Sequence, residues 1–263
     1  MFELFLFEND VQRAKSAVAA GISNFLVDWE YMGKDLRQMG YDTEILAADP
    51  NDLHALCEIE NSTVWCRINQ YGPHSKEEID RAIRAGSQGI FLPMVRSCAE
   101  VEEFHSYVSG RCETGILIET TEAYHAAREL SKLPFERVYF GLNDYAISRG
   151  GGSIFQAVKD GTVERVREIF SNKVFGFGGV TAIDAGNPVP AKHLLQEMSR
   201  LNCHFSFMRR SFRRDTEGKE MAPIITEIHE YLRQCHTRDE ATICHHHIEL
   251  NSILNDVCHQ PLQ

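Results

Sequence analysis

Four short segments of this chain carry residues able to do chemistry at the end of an apolar run: Asp28-Trp-Glu30, Arg67-Ile-Asn69, Glu119-Thr120 and Gly141-Leu-Asn143-Asp144. Gathered at one place, four carboxylates in a partly desolvated site would be costly unless a cation neutralised them. Mg²⁺ suits such a set, because it takes oxygen ligands, keeps several waters and is commonly held by one or two protein carboxylates plus the substrate. No histidine stands at these positions, which disfavours zinc. Arg67 supplies the local positive charge needed to hold a substrate carboxylate or to stabilise an enolate.

Whether these residues meet depends on the elements that carry them. Short runs rich in Val, Ile, Phe and Leu recur at 3–7, 25–30, 63–69, 89–95, 115–119, 137–141, 174–180 and 204–209, with stretches of helical period between them. Near-continuous apolarity, as in Gly115-Ile-Leu-Ile-Glu119, marks strands buried on both faces of a parallel sheet. Ser75 with Glu78, and Ser97 with Glu100, stand in capping-box spacing at two helix starts. Gly21 and Gly86 stop helices, and Pro223 suits the first turn of another.

Eight strand-then-helix units predict a (β/α)8 TIM barrel over residues 1–234. Residues 235–263 form a C-terminal extension with a short helix over 248–257. A doubly wound open sheet is the alternative, but no GxGxxG follows an early strand. In a barrel the C-terminal strand ends form one mouth, so the acidic segments and Arg67 converge there.

Composition removes other classes. The net charge of −11 offers no basic field to nucleic acid or to an anionic membrane. No apolar run approaches the ~18 residues of a membrane span, and MFELFLFEND reads as a buried first strand, so a cytoplasmic protein is expected. The eight cysteines are scattered without CxxC and read as reduced.

In order, Phe25-Leu-Val-Asp28-Trp-Glu30, Val64-Trp-Cys-Arg67-Ile-Asn69, Gly89-Ile-Phe-Leu-Pro93-Met-Val95, Ile116-Leu-Ile-Glu119-Thr120 and Gly141-Leu-Asn-Asp144 resemble the HpcH/HpaI aldolase and citrate lyase β-subunit family. The resemblance covers roughly residues 1–235. It implies a phosphoenolpyruvate/pyruvate-type barrel that breaks or forms C–C bonds beside a 2-oxo acid or an acyl-CoA. Glu119 and Asp144 would then be the ligands of Mg²⁺ (or Mn²⁺), and Arg67 the oxo-acid or enolate contact. Gly141 and Asn143 would touch the substrate, while Glu30 and Asp28 would surround metal-bound water. A small-molecule 2-oxo acid is the implied partner and a homo-oligomer the implied assembly. Tyr31 departs from the family, which has a histidine or an aspartate there. Leu92-Pro-Met-Val95 leans to the aldolase branch, whereas Lys34 and Arg37 are similar to the basic pair of the lyase branch.

Plainer readings stand beside these. Glu119 could cap the next helix, Asp144 could make an Asx turn, and Arg67 could do no more than pair with Asp28 or Glu30. Asp28 could only accept loop amides, and Tyr31 could only pack. Arg149-Gly-Gly-Gly-Ser153 is a lid, a phosphate nest or a plain loop. Gly176 to Gly179 either let backbone approach a ligand or serve tight packing. The tail's Cys235-His236, Cys244-His-His-His247 and Cys258-His259 form a metal site or none. A catalytically idle barrel with a regulatory or assembly role is the alternative of another class.

Overall fold

Along each strand, alternate residues sort into two populations, as the two-residue side-chain period demands. The computed structural model describes residues 2–32 and 50–259. Parallel strands β1 (Glu3–Phe7), β2 (Asn24–Asp28), β3 (Thr63–Arg67), β4 (Gly89–Leu92), β5 (Glu113–Ile118), β6 (Arg137–Phe140), β7 (Val174–Phe177) and β8 (Phe205–Phe207) follow one another around a closed barrel. β8 pairs back onto β1. One population of side chains fills the barrel interior: Phe5, Leu26, Trp65, Phe91, Leu117, Tyr139, Phe205 and Phe207. Their neighbours, such as Leu6, Val27, Cys66 and Ile118, belong to the larger cluster between strands and helices.

The interior is aromatic, so some strands must give way. A Cβ on Gly89 would lie 2.4 Å from the Trp65 ring, and one on Gly115 would lie 2.4 Å from Phe91. These two glycines are required for close approach, and replacement would overpack the barrel. Arg137 closes the floor, its guanidinium 5.0 Å from the Trp65 ring centroid and its charge paired with Glu3 and Glu113.

The outer ring comprises α1 (Val11–Ala19), α2 (Pro50–Cys57), α3 (Ser75–Arg84), α4 (Cys98–Val108), α5 (Thr121–His125), α6 (Ala127–Leu130), α7 (Leu142–Ser148), α8 (Gln156–Lys159), α9 (Thr162–Ile169), α10 (Ala191–Arg200), α11 (Phe212–Asp215), α12 (Met221–His236) and α13 (Glu240–His259). Most strands end one to three residues earlier than the apolar runs predict. Glu30, Asn69, Val95 and Glu119 leave the ladder yet stay buried, because the loops they enter are packed into the mouth.

At Ser97 the cap forms, its hydroxyl accepting from Glu100 N at 3.3 Å. Glu100 Oε2 accepts from Arg96 N at 2.8 Å, one residue before the N-cap, so the box closes one residue upstream of the expected pairing. The box at Ser75 does not form. Glu78 instead accepts from Asn69 N (3.1 Å) and Asn69 Nδ2 (2.6 Å), because the buried loop has the more expensive orphans.

The extension also differs from the short helix expected over 248–257. α13 spans 20 residues and packs on α10 and α8 of its own barrel, with Leu250 and Leu254 fully buried. Its histidines are committed locally: His247 Nδ1 lies 3.1 Å from Glu197 Oε2, and His246 Nδ1 lies 2.9 Å from Arg238 Nη1. Among the described residues no group of three or more His, Cys, Asp or Glu side chains is arranged to hold a metal, so the tail cluster makes no such site there. All eight cysteines are free thiols. Among the described residues no helix is long and apolar enough to cross a membrane.

Candidate active site

The barrel's own period builds the site. Leu26, Trp65, Leu117 and Tyr139 point inward, so the residues two further on share that face: Asp28, Arg67, Glu119 and Gly141. Interior filler thus gives way to polar groups at the rim, where α/β barrels carry chemistry.

Glu119 is 2 % exposed and its Oε1 accepts from Met94 N at 2.8 Å. Burial, then the nearby charges of Asp144 and Glu30, push its carboxyl up to about 8, against the opposing pull of Arg67. Asp144 sits in the first turn of α7, whose N-cap is Gly141. Gly141 is there for room. A Cβ on it would fall 2.6 Å from Glu119 Oε2, so only glycine lets the carboxylate lie against this backbone. Among the described residues no group of three or more His, Cys, Asp or Glu side chains is arranged here to hold a metal. Glu119 and Asp144 thus offer two oxygen-donor side chains at most, and a hard divalent cation would take its remaining ligands from water and substrate.

Arg67 is fully committed on one edge. It donates through Nε (3.0 Å) and Nη2 (2.7 Å) to the two oxygens of Asp28, and Nη2 also lies 3.3 Å from Glu30 Oε2. Burial opposes its charge, but Asp28 and Glu30 outweigh that and hold the guanidinium ionised. Asp28 accepts from Glu30 N as well (3.1 Å), so it is both anchor and loop cap. Asp28 and Glu30 therefore stand behind Arg67, and Arg67 itself lines the cavity.

That cavity, about 590 Å³, opens over the barrel mouth. Arg67, Glu119, Gly141, Asn143 and Asp144 line it, joined by Phe7, Tyr139 and Phe207 as an apolar base. Tyr139 stacks on Phe207 with centroids 3.8 Å apart, and its hydroxyl donates to Gly178 O. Gly178 and Gly179 also line it, whereas Gly176 serves packing: a Cβ there would meet Phe205 O at 2.3 Å.

Tyr31 is 62 % exposed, and its backbone N–H donates to Asn69 Oδ1 at 3.0 Å. Lys34 and Arg37 lie outside the described residues. Gly150, Gly151 and Gly152 all have positive φ with open space around them, and the cavity wall resumes at Ile154 and Phe155. Sequence reasoning missed the β8 side of the mouth. Arg209, Arg210, Arg213 and Arg214 all line the cavity, so Arg67 is one of several cations there. The signal was present: Phe205, Phe207 and Arg209 share one face at period two.

No family profile matches the chain, and no curated protein matches it in sequence. Solved structures do match. The citrate synthase SbnG superposes with a TM-score of 0.58 at 14% identity, over 89% of this chain and 91% of that one. An HpcH/HpaI aldolase from Desulfitobacterium hafniense gives 0.56 at 14%, over 91% and 94%. Protein CitE from Mycobacterium tuberculosis, in complex with magnesium and pyruvate, gives 0.55 at 17%, over 95% and 98%. At such identities the likeness establishes the fold, and this chain has the barrel of the HpcH/HpaI aldolases and citrate lyase proteins that its motif order resembles.

Proposed function

We propose that this chain is a carbon–carbon lyase of the HpcH/HpaI aldolase and citrate lyase type, acting on a 2-oxo acid. The observation that carries the reading is the buried Glu119 carboxyl, crowded by Asp144 and Glu30 in a cavity that arginines also line. Glu119 and Asp144 would hold Mg²⁺ or Mn²⁺, which when bound supplies Lewis-acid polarisation of the 2-oxo group. Arg67, fixed by Asp28 and Glu30, spends Nε and Nη2 on those carboxylates and has Nη1 to give to a substrate carboxylate or enolate oxygen. Asn143 and the Gly141 backbone border the same space. Phe7, Tyr139 and Phe207 line the base of the cavity and would keep water from the underside of the reacting carbon. Glu30, 3.3 Å from Arg67 Nη2, would accept through a water the C3 proton of pyruvate or, in aldol cleavage, the hydroxyl proton as the C3–C4 bond breaks.

A second reading, cleavage or condensation of an acyl-CoA, gains from the arginines of the β8 side, which supply a basic surface that the strand ends examined in the sequence do not.

Proton NMR of pyruvate in D₂O tests the leading reading without knowledge of the acceptor. Methyl exchange is expected with Mg²⁺ and is expected to vanish in Glu119→Gln and Asp144→Asn. Wild-type protein that exchanges no faster than Mg²⁺ alone would overturn it.

A further inference from the structure

The β8 side of the mouth holds charge that the leading reading does not use. Arg209 continues the inward face of Phe205 and Phe207, and its side chain is seated where two glycines leave room. A Cβ on Gly179 would come within 2.8 Å of its Cγ, and one on Gly186 within 3.2 Å of its Nη1. Its hydrogen bonds go to neutral backbone, Nε to Gly179 O at 3.0 Å and Nη2 to Val189 O at 3.5 Å. Arg210 beside it has Nη1 buried with no hydrogen-bond partner. Among the described residues neither guanidinium has a carboxylate within ion-pair distance. Burial works against both charges, and Arg67 adds repulsion at Arg210. The more distant Asp215 favours the charge of Arg209, and Asp28, Asp144 and Glu30 favour that of Arg210, without cancelling the burial.

Arg213, further out, shows the contrast. It is balanced by Glu8 at 2.8 Å. An acidic chain has thus placed two guanidinium groups with no carboxylate in direct contact on the β8 wall of the cavity that Glu119 and Asp144 line. One of them keeps a buried N–H donor unmet, and such a donor is costly. A guanidinium fork is matched by a carboxylate or a phosphate.

We propose that Arg209 and Arg210 form a second anion subsite on the β8 wall of the cavity, which takes a carboxylate or phosphate borne by the second reactant. That the anion belongs to a reactant rests on the lyase reading, whereas the subsite itself does not. A neutral aldehyde would bring no charge to meet the buried Arg210 Nη1, so the subsite selects an anionic partner for the oxo acid.

The test is calorimetric titration of the metal-free protein, in excess EDTA, with succinate and separately with inorganic phosphate. Wild type is expected to bind at least one, and the tighter identifies the group. Arg210→Gln is expected to weaken that binding about 10- to 100-fold. Should Arg210→Gln fail to fold, Arg210→Lys carries the test, because it keeps the charge and loses the fork, and weaker binding is again expected. Failure of wild type to bind either anion, or unchanged binding in the variant that folds, overturns the proposal. Unchanged anion binding with tighter Mg²⁺ binding would mean that Arg210 only balances the acidic cluster. Because no metal is present, loss of pyruvate methyl exchange as a property of the enzyme would leave this result standing.

Discussion

Glu119→Gln in the metal-free protein should raise stability at neutral and alkaline pH. The Glu119 carboxyl titrates near 4.5 in an unfolded chain but is pushed up to about 8 in the fold, by burial and by Asp144 and Glu30. Below about 4.5 it is protonated in both states and costs nothing. Between about 4.5 and 8 the folded state holds a proton that the unfolded state has released, so stability falls as pH rises, by at most ~1.4 kcal/mol per pH unit. Above about 8 the loss is complete, on the order of 3–5 kcal/mol. Glutamine carries no charge, so the variant should lack this component. The assay is urea unfolding of both proteins in EDTA at intervals from pH 5 to 9. The difference between variant and wild type should widen with pH and level off beyond about 8. Adding Mg²⁺ should return stability to wild type alone, since a cation that binds only the folded state stabilises it. A difference constant across this range, or one that shrinks as pH rises, would refute the electrostatic account of the site.

Arg67→Met should cost about 3–5 kcal/mol, because it removes the guanidinium that pairs directly with the buried Asp28 and Glu30. Denaturant unfolding of that variant checks it, and a midpoint equal to wild type would mean that water reaches the cluster freely. Truncation after Gln234 removes Leu250 and Leu254 from the core and should lower stability by about 3–6 kcal/mol. Light scattering alongside calorimetric melting tells this from a role in subunit contacts, in which truncation would shrink any oligomer and leave the melting transition in place.

The sequence makes the barrel legible because parallel strands buried on both faces cannot hide their apolar runs, and eight of them between helices admit few folds. The helix capping and the tail were less legible, for a shared reason. Glu78 sits three residues after Ser75, as a box requires, yet tertiary contact with Asn69 overrides that local spacing. In α13 the apolar stripe is sparse and broken by His245, His246 and His247, so its 20-residue length shows only once α10 and α8 are there to receive Leu250 and Leu254.

The mouth is best read by counting from filler to function. Each inward aromatic or leucine fixes the face of the strand, and the residue two or four positions later is carried to the rim by the pleat. Counting from Leu26 reaches Asp28 and Glu30, from Trp65 Arg67, from Leu117 Glu119 and from Tyr139 Gly141, whose lack of a side chain matters as much as the others' charges. The same count from Phe205 and Phe207 reaches Arg209, which charge arithmetic alone does not single out among the 27 basic residues of an acidic chain. Net charge averages over the whole surface, whereas the pleat decides which few charges face one another across the cavity. An acidic protein can therefore keep a strongly cationic wall at its mouth, and the strand period is the part of the sequence that reveals it.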